Sequence, residues 1–238
     1  MGALSQRAVG FGTPVFIVPA LLIYFSPPVA LIIFLIVACV SNLLVIFAHK
    51  EKREIIWPVV LRLIIPALPS LIIGAIIVTH IDKAALQIIV GALVVIAICI
   101  QEFVFPKPTS PLKVSKGINL SGLLAGLLNS LAGIAGPALI LWFRTHKCTP
   151  NQLRHNLAVI FTFMNIVSFT AIYLAKPEAV TTQPVLIAAA LLPIILLGNM
   201  AGSLVAGRIS RQQFETTMLW VVIATGAVSM AIGTVNLR

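Results

Sequence analysis

The sequence predicts an all-α polytopic membrane protein of two homologous, inverted repeats. Each repeat holds about three full transmembrane helices and one Gly/Pro-broken helix that is re-entrant or discontinuous. Three observations predict it. Of 238 residues only 16 are Lys or Arg and 6 are Asp or Glu, a charged share of 9%, against about 25% in soluble domains. Apolar residues make up 60% and mean hydropathy is +1.11. That ratio cannot clothe a water-facing surface, and it excludes disorder, which needs low hydrophobicity and high charge. Finally, landmarks of the first half return in the second at a nearly constant offset.

Eight apolar blocks are long enough, or nearly so, to cross hydrocarbon, which takes about 20 helical residues. They are Ala8–Phe25, Pro28–Ala48, Ile55–Thr79, Ala84–Gln101, Gly117–Phe143, Asn156–Ala175, Thr181–Gly207 and Thr216–Leu237. The uncharged run from Ala8 to Ala48 is too long for a signal-peptide core. The longest connection is the Pro-rich, basic stretch Pro106–Lys116, which separates a first repeat, 1–105, from a second, 117–238. Cys39 and Cys99 lie in apolar runs and read as small core fillers; with Cys148 they make an odd number and no C-x-x-C, so neither a disulfide framework nor a zinc site is indicated.

The repeat rests on position. Gly10-Phe11-Gly12-Thr13-Pro14 matches Gly133-Ile134-Ala135-Gly136-Pro137 at an offset of 123, and Asn42 matches Asn165 at the same offset. Pro69 and Gly74 match Pro193 and Gly198 at 124. Blocks one and five concentrate glycine and proline: Gly10, Gly12, Pro14 and Pro19 in one, Gly133, Gly136 and Pro137 in the other. Proline removes a donor and clashes with the preceding turn, so neither block should be a straight helix. Broken backbone at membrane depth survives only where it is buried or lines a cavity, which points to a central site of the kind transporters use.

Charge gives the topology. The net charge is +10, and with no basic patch interleaved with aromatics it speaks for loop placement, not for nucleic acid. If blocks one and five are re-entrant, one side collects Lys50, Lys52, Arg53, Lys107, Lys113, Lys116, Arg144, Lys147, Arg154, Arg208 and Arg211, while the other collects Arg7, Lys83, Lys176 and Arg238. That is 11 against 4, sharper than the 9 against 6 obtained if all eight blocks cross. The positive-inside rule therefore favours six crossings, two re-entrant elements and inverted halves.

A helix that restarts inside the membrane leaves its first N–H groups without partners, and these carry about half a positive charge. Glycine admits a ligand close to the backbone, and proline at the first helical position gives up no needed donor. Thr13-Pro14 and Gly136-Pro137 fit such restarts, and together they predict a paired anion cradle without a buried Lys or Arg. The competing reading is that these residues only kink helices for packing. The intramembrane amides Asn42 and Asn165 are repeat mates that either donate to a ligand or hydrogen-bond between helices. Asn129 and Ser130 precede the second break, and Ser5 and Gln6 the first. Two G-x-x-x-G runs, Gly122–Gly126 and Gly198–Gly202, read as close helix contacts, as does the small face Gly117, Ser121, Ala125 and Asn129. Arg62 reads as snorkelling, Glu102 and His155 as interfacial, and no buried acid chain offers a proton relay.

Enzyme signatures are missing: no H-E-x-x-H, no G-x-S-x-G, no P-loop and no paired carboxylates in one block. No catalytic residue, metal ligand or cofactor is therefore assigned. The leading reading is a secondary transporter working by alternating access on a small anion, with the lipid bilayer as its other partner. The rivals are a membrane-embedded enzyme acting on lipid and a structural or channel subunit. The residues leave open a coupling ion, proton or sodium, and a homo-oligomeric state.

Order and duplication of these motifs resemble the sulfite exporter TauE/SafE family, whose halves open with a pattern like G-x-G-G-G-x-x-x-x-P. Here the first half reads Gly10-Phe11-Gly12-Thr13-Pro14-Val15-Phe16-Ile17-Val18-Pro19, and the second Gly133-Ile134-Ala135-Gly136-Pro137 after Leu120–Leu128. Pro69–Gly74, and Pro193–Gly198 with Gly202, Gly207 and Arg208, also resemble the family's later segments. The resemblance covers nearly the whole chain. It implies a multi-pass transporter of the inner (cytoplasmic) cell membrane for sulfite, sulfoacetate, other sulfonates or related organic anions. It carries over Gly10, Gly12, Gly133 and Gly136 as family glycine positions. Thr13, Pro14, Ala135 and Pro137 depart from the pattern, Trp142 stands where a second proline is expected, and block one has almost none of the apolar lead-in of block five.

Overall fold

Proline marks where most of the helices begin. The computed structural model describes residues 13–48, 54–90, 92, 110–111, 117–144 and 146–206. The helices are α1 (Thr13–Tyr24), α2 (Pro27–Ala48), α3 (Trp57–His80), α4 (Ile118–Ala132), α5 (Gly136–Arg144), α6 (Pro150–Ala175) and α7 (Thr182–Ala206), with a further helical stretch at 83–90. Pro27, Pro58 and Pro150 sit in first turns, where a fixed φ suits the helix and a missing N–H costs nothing. α6 adds a capping box: Thr149 Oγ1 accepts from the Gln152 N–H at 3.1 Å, and the Thr149 N–H donates to Gln152 Oε1 at 3.0 Å.

Among the described residues three helices are long and apolar enough to cross a membrane: Pro27–Phe47, Trp57–His80 and Asn151–Ala175. At about 1.5 Å per residue each matches or exceeds the roughly 30 Å hydrocarbon layer. Their outward faces are apolar, as with Leu61, Ile65, Ile72 and Ile76 on α3, so that surface suits lipid and not water. The chain is thus a helical membrane protein. Pro19, Pro66, Pro69 and Pro193 all lie inside helices, so the proline of block one expected to contribute to a break does not interrupt α1. In hydrocarbon an unravelled turn has no water to satisfy it, which makes a helix containing proline the lesser cost.

Two apolar clusters fill the interior. One joins α1, the first half of α2, Ala75 and Val78 of α3, Leu131, Ala132 and Ile134, and Ile172 of α6. The other joins Val59, Leu63, Ala67 and Leu71 of α3, Ile118 and Ala125 of α4, Ala135, Leu139, Ile140 and Phe143, and Leu157, Ile160 and Met164 of α6. Hence α3 and α6 run from the second cluster to the first. Between the clusters, near mid-length, they carry Ser70 and Gly74, and Asn165 and Ser168, while α4 brings Asn129 and Ser130. A polar layer therefore separates two apolar ones.

The closest helix pair is α3 with α4, and glycine makes it possible. A Cβ at Gly122 would collide with the Leu63 carbonyl, and one at Gly126 with Ser70 Oγ. From the other side, a Cβ on Gly74 would come within 2.7 Å of Ser130 Cβ. Backbones this near exchange dispersion that larger residues would prevent. At the rim of the second cluster, buried Asn156 pins the starts of α3 and α6 together. Its Oδ1 accepts from the Ile56 N–H at 2.9 Å, and its Nδ2 donates to the carbonyls of Glu54 at 3.0 Å and Gln152 at 2.6 Å. The neighbouring His155, read from sequence as interfacial, is buried.

Candidate functional site

α4 and α5 form one interrupted element. Gly133 ends α4 at φ +69°, a left-handed conformation that side chains rarely adopt. Its N–H donates to the Asn129 carbonyl at 2.8 Å, and the Ile134 N–H returns to Leu128 at 3.2 Å. The chain then restarts as α5, with Leu139 N–H donating to the Ala135 carbonyl at 3.4 Å. Ala135, Gly136 and Ala138 offer N–H groups that have no acceptor among the described residues, and Pro137 between them has none to offer. Residues 130–137 are all buried. A short helix thus begins in the protein interior with its positive end uncapped.

The element folds back on itself. Ile118 of α4 and Leu139, Ile140, Trp142 and Phe143 of α5 belong to the same apolar cluster, and Ser121 Oγ donates to the Ala138 carbonyl at 2.6 Å, so the two limbs run back to back. The strand pair just outside closes the argument: β1 (Ser110–Pro111) lies parallel to β2 (His146–Lys147), with Ser110 opposite His146. Entry and exit are neighbours on one side of the helical layer. The turn between them reaches the polar layer and touches the other cluster, where the Phe34 ring of α2 lies where a Gly133 Cβ would project.

Of the residues expected at a site, Asn129, Ser130 and Asn165 come together. Asn129 Nδ2 donates to Asn165 Oδ1 at 3.2 Å and to Ser168 Oγ at 3.3 Å. Ser130 Oγ donates to the Leu71 carbonyl at 2.7 Å and pairs with Ser168 Oγ at 2.8 Å. Asn165 is 3% exposed, and its Nδ2 finds no acceptor among the described residues. Gly133, Gly136 and Pro137 form the break itself. Asn42 is buried on α2, which packs against α6, but it is not a member of this network. Thr13 and Pro14 open α1. The other end of α1 is tied at the opposite rim, where Lys83 Nζ donates to the Ile23 carbonyl at 2.7 Å and Gln87 Nε2 to Leu22 at 3.3 Å. From there α1 extends about 17 Å back toward Thr13. Gly10 and Gly12, with Ser5, Gln6 and Glu102, lie outside the described residues.

Two participants, Ser168 and Phe34, and one buried hydroxyl away from the network, that of Ser41, escaped the sequence reading. Ser168 sits one turn beyond Asn165, a spacing that could have flagged it. Ser41, 3% exposed beside Asn42, has a hydroxyl with no partner among the described residues. Phe34 gave no signal at all, because nothing local distinguishes it from lipid-facing phenylalanines. The described residues hold no group of His, Cys, Asp and Glu fit to bind a metal ion.

Comparison with known proteins follows this geometry. A family profile described as "Sulfite exporter TauE/SafE" matches residues 1–229. A curated relative from Cupriavidus necator, named "Probable sulfite/organosulfonate exporter TauE", is 25% identical over 182 residues, covering 74% of this chain and 69% of the relative. No solved structure matches. With the family profile spanning almost the entire sequence, this chain belongs to the sulfite exporter TauE/SafE family and is a membrane transporter, not an enzyme.

Proposed function

We propose that the protein is a secondary transporter of the inner membrane that moves a small organosulfur anion, sulfite or an organosulfonate, by alternating access. The observation that carries the site is the buried restart at Gly136. Amides of Ala135, Gly136 and Ala138 have no acceptor among the described residues, at the start of a helix that begins in the protein interior. Such a terminus receives an anion readily. Asn165 Nδ2 supplies a further donor. The substrate class follows the name of the Cupriavidus necator relative.

Two inverted repeats are part of the proposal. α1 and α5 begin at residues 13 and 136, and α2 and α6 at 27 and 150, each pair 123 apart. Packing is reciprocal as well: α2 meets α6, while α3 packs on α6 and α2 on α7. These regularities support an opposed pair of half-helices, with Thr13–Pro14 and Asn42 answering Gly136–Pro137 and Asn165 across the centre. Rocking of one repeat against the other then exposes the site to each side in turn.

The test is anion flux in proteoliposomes carrying Gly136→Leu, whose side chain fills the approach to the restart. Flux should fall at least about tenfold while the detergent-solubilised protein stays monodisperse. Wild-type flux in a well-folded variant removes the site.

A further inference from the structure

We infer that Ser41 on α2 donates its hydroxyl to the transported anion, as a binding residue in its own right. The inference rests on the reading of the chain as an organosulfur-anion transporter, but not on the restart at Gly136 being the site. Ser41 is 3% exposed, and its Oγ is enclosed with no hydrogen-bond partner among the described residues.

That hydroxyl is an exception. The other buried serines and threonines described are Ser70, Ser121, Ser130, Thr162 and Ser168, and each is bonded. Ser70 Oγ donates to the Ala67 carbonyl at 2.9 Å and Thr162 Oγ1 to the Ala158 carbonyl at 2.7 Å, both within their own helices. Ser121 and Ser130 reach the carbonyls of Ala138 and Leu71 on other elements, and Ser168 pairs with Ser130. A helical serine has carbonyls one turn back within reach, so Ser41 could be satisfied locally and is not. It lies about 21 Å along the Pro27–Phe47 span, within the hydrocarbon, where lipid offers no partner. A buried donor left unmet costs stability. Where every comparable hydroxyl is paired, the orphan is a group kept for a ligand.

Its placement on α2 fits a ligand inside the protein. Phe34, seven residues and nearly two turns earlier, lies where a Gly133 Cβ would project, so Ser41 shares the face of α2 that meets the α4–α5 break. α2 carries no charged residue, so the face offers a neutral donor. A hydroxyl donating to an oxyanion makes a charge-assisted bond, about twice as strong as one between neutral groups. Oγ is shielded in this arrangement, and separation of α2 from the break during the transport cycle uncovers it.

The full-length protein in nanodiscs tests this, by thermal unfolding and by titration with sulfite and with methanesulfonate, each as its choline salt. Ser41→Ala breaks no bond, so the ligand-free Tm should stay level or rise, while affinity for both anions falls about tenfold. Ser41→Thr keeps the donor and should bind within about threefold of wild type, whereas Ser41→Val, of the same shape, should not. Wild-type affinity in Ser41→Ala, or a ligand-free Tm that falls with it, assigns the hydroxyl to a resident water or a structural bond; either overturns the inference and leaves the transporter reading standing. Equal loss of binding in the Thr and Val variants overturns it as well. So does stabilisation that follows sodium in place of choline and disappears in Ser41→Ala, which assigns the hydroxyl to a cation. Binding of neither anion by the wild type removes the transporter reading and the inference with it.

Discussion

Gly133 shows how much one residue controls here. It is both left-handed and overlaid by the Phe34 ring, so a methyl group meets backbone strain and a collision together. Gly133→Ala should destabilise the fold by about 1–3 kcal/mol, read as a drop in Tm of the purified protein. Pairing it with Phe34→Leu should recover the steric part but not the backbone part. Asn129 and Asn165 invite a different measurement. Their direct bond predicts a small coupling, about 0.6 kcal/mol, in a double-mutant cycle of stability, as interhelical bonds in membranes usually give. A much larger effect on anion affinity than on stability would separate the ligand role from helix adhesion. Outside the spans, partial burial pushes the Cys148 thiol above its ordinary value. Maleimide should therefore label it slowly at neutral pH and faster only as the solution becomes more alkaline than a free thiol requires.

At the scale of elements, the α3–α4 seam and the re-entrant hairpin make separate predictions. Gly126→Leu pushes a side chain into Ser70 and the Ala67 carbonyl. It should cost about 2 kcal/mol or more and loosen α4, seen as faster proteolysis within 117–132. Re-entry predicts sidedness. Cysteines placed at exposed Gly117 and Thr149 should react with a membrane-impermeant thiol reagent from the same face, although a broken helix lies between them. Reaction from opposite faces would mean that the element crosses.

Across the whole molecule, the distribution of charge along the sequence proposes an orientation. The starts of α3 and α6 share a rim, joined by Asn156 and by Thr149 Oγ1 donating to Glu54 Oε2 at 3.1 Å. The basic connections assigned to that side from sequence lead us to propose it as the cytoplasmic face, by the positive-inside rule. Cysteines at Asp82 and Glu178, on the opposite rim, should then label from outside intact cells, and those at Gly117 and Thr149 should not.

Much of this was legible in the residues themselves. Apolar run length fixes which segments can cross hydrocarbon, because an unpaired backbone group has no alternative partner there. The helix boundaries accordingly fall within a few residues of the apolar blocks, except α6, which starts at Pro150 instead of Asn156. The second break is equally local: Gly133 for the left-handed turn, then Pro137 for the restart. Long-range geometry is not. Whether Asn165 meets Asn129, whether Phe34 covers Gly133, and whether His155 is buried depend on which helix faces meet, and a uniformly apolar helix carries almost no periodic signal saying which face that is. The sequence alone determined a membrane-embedded helical chain in which one helix is interrupted at Gly133–Pro137. Tertiary packing alone decided that the interruption turns back on itself and lies against a neutral polar layer, because only interhelical contacts choose partners for groups that lipid cannot satisfy.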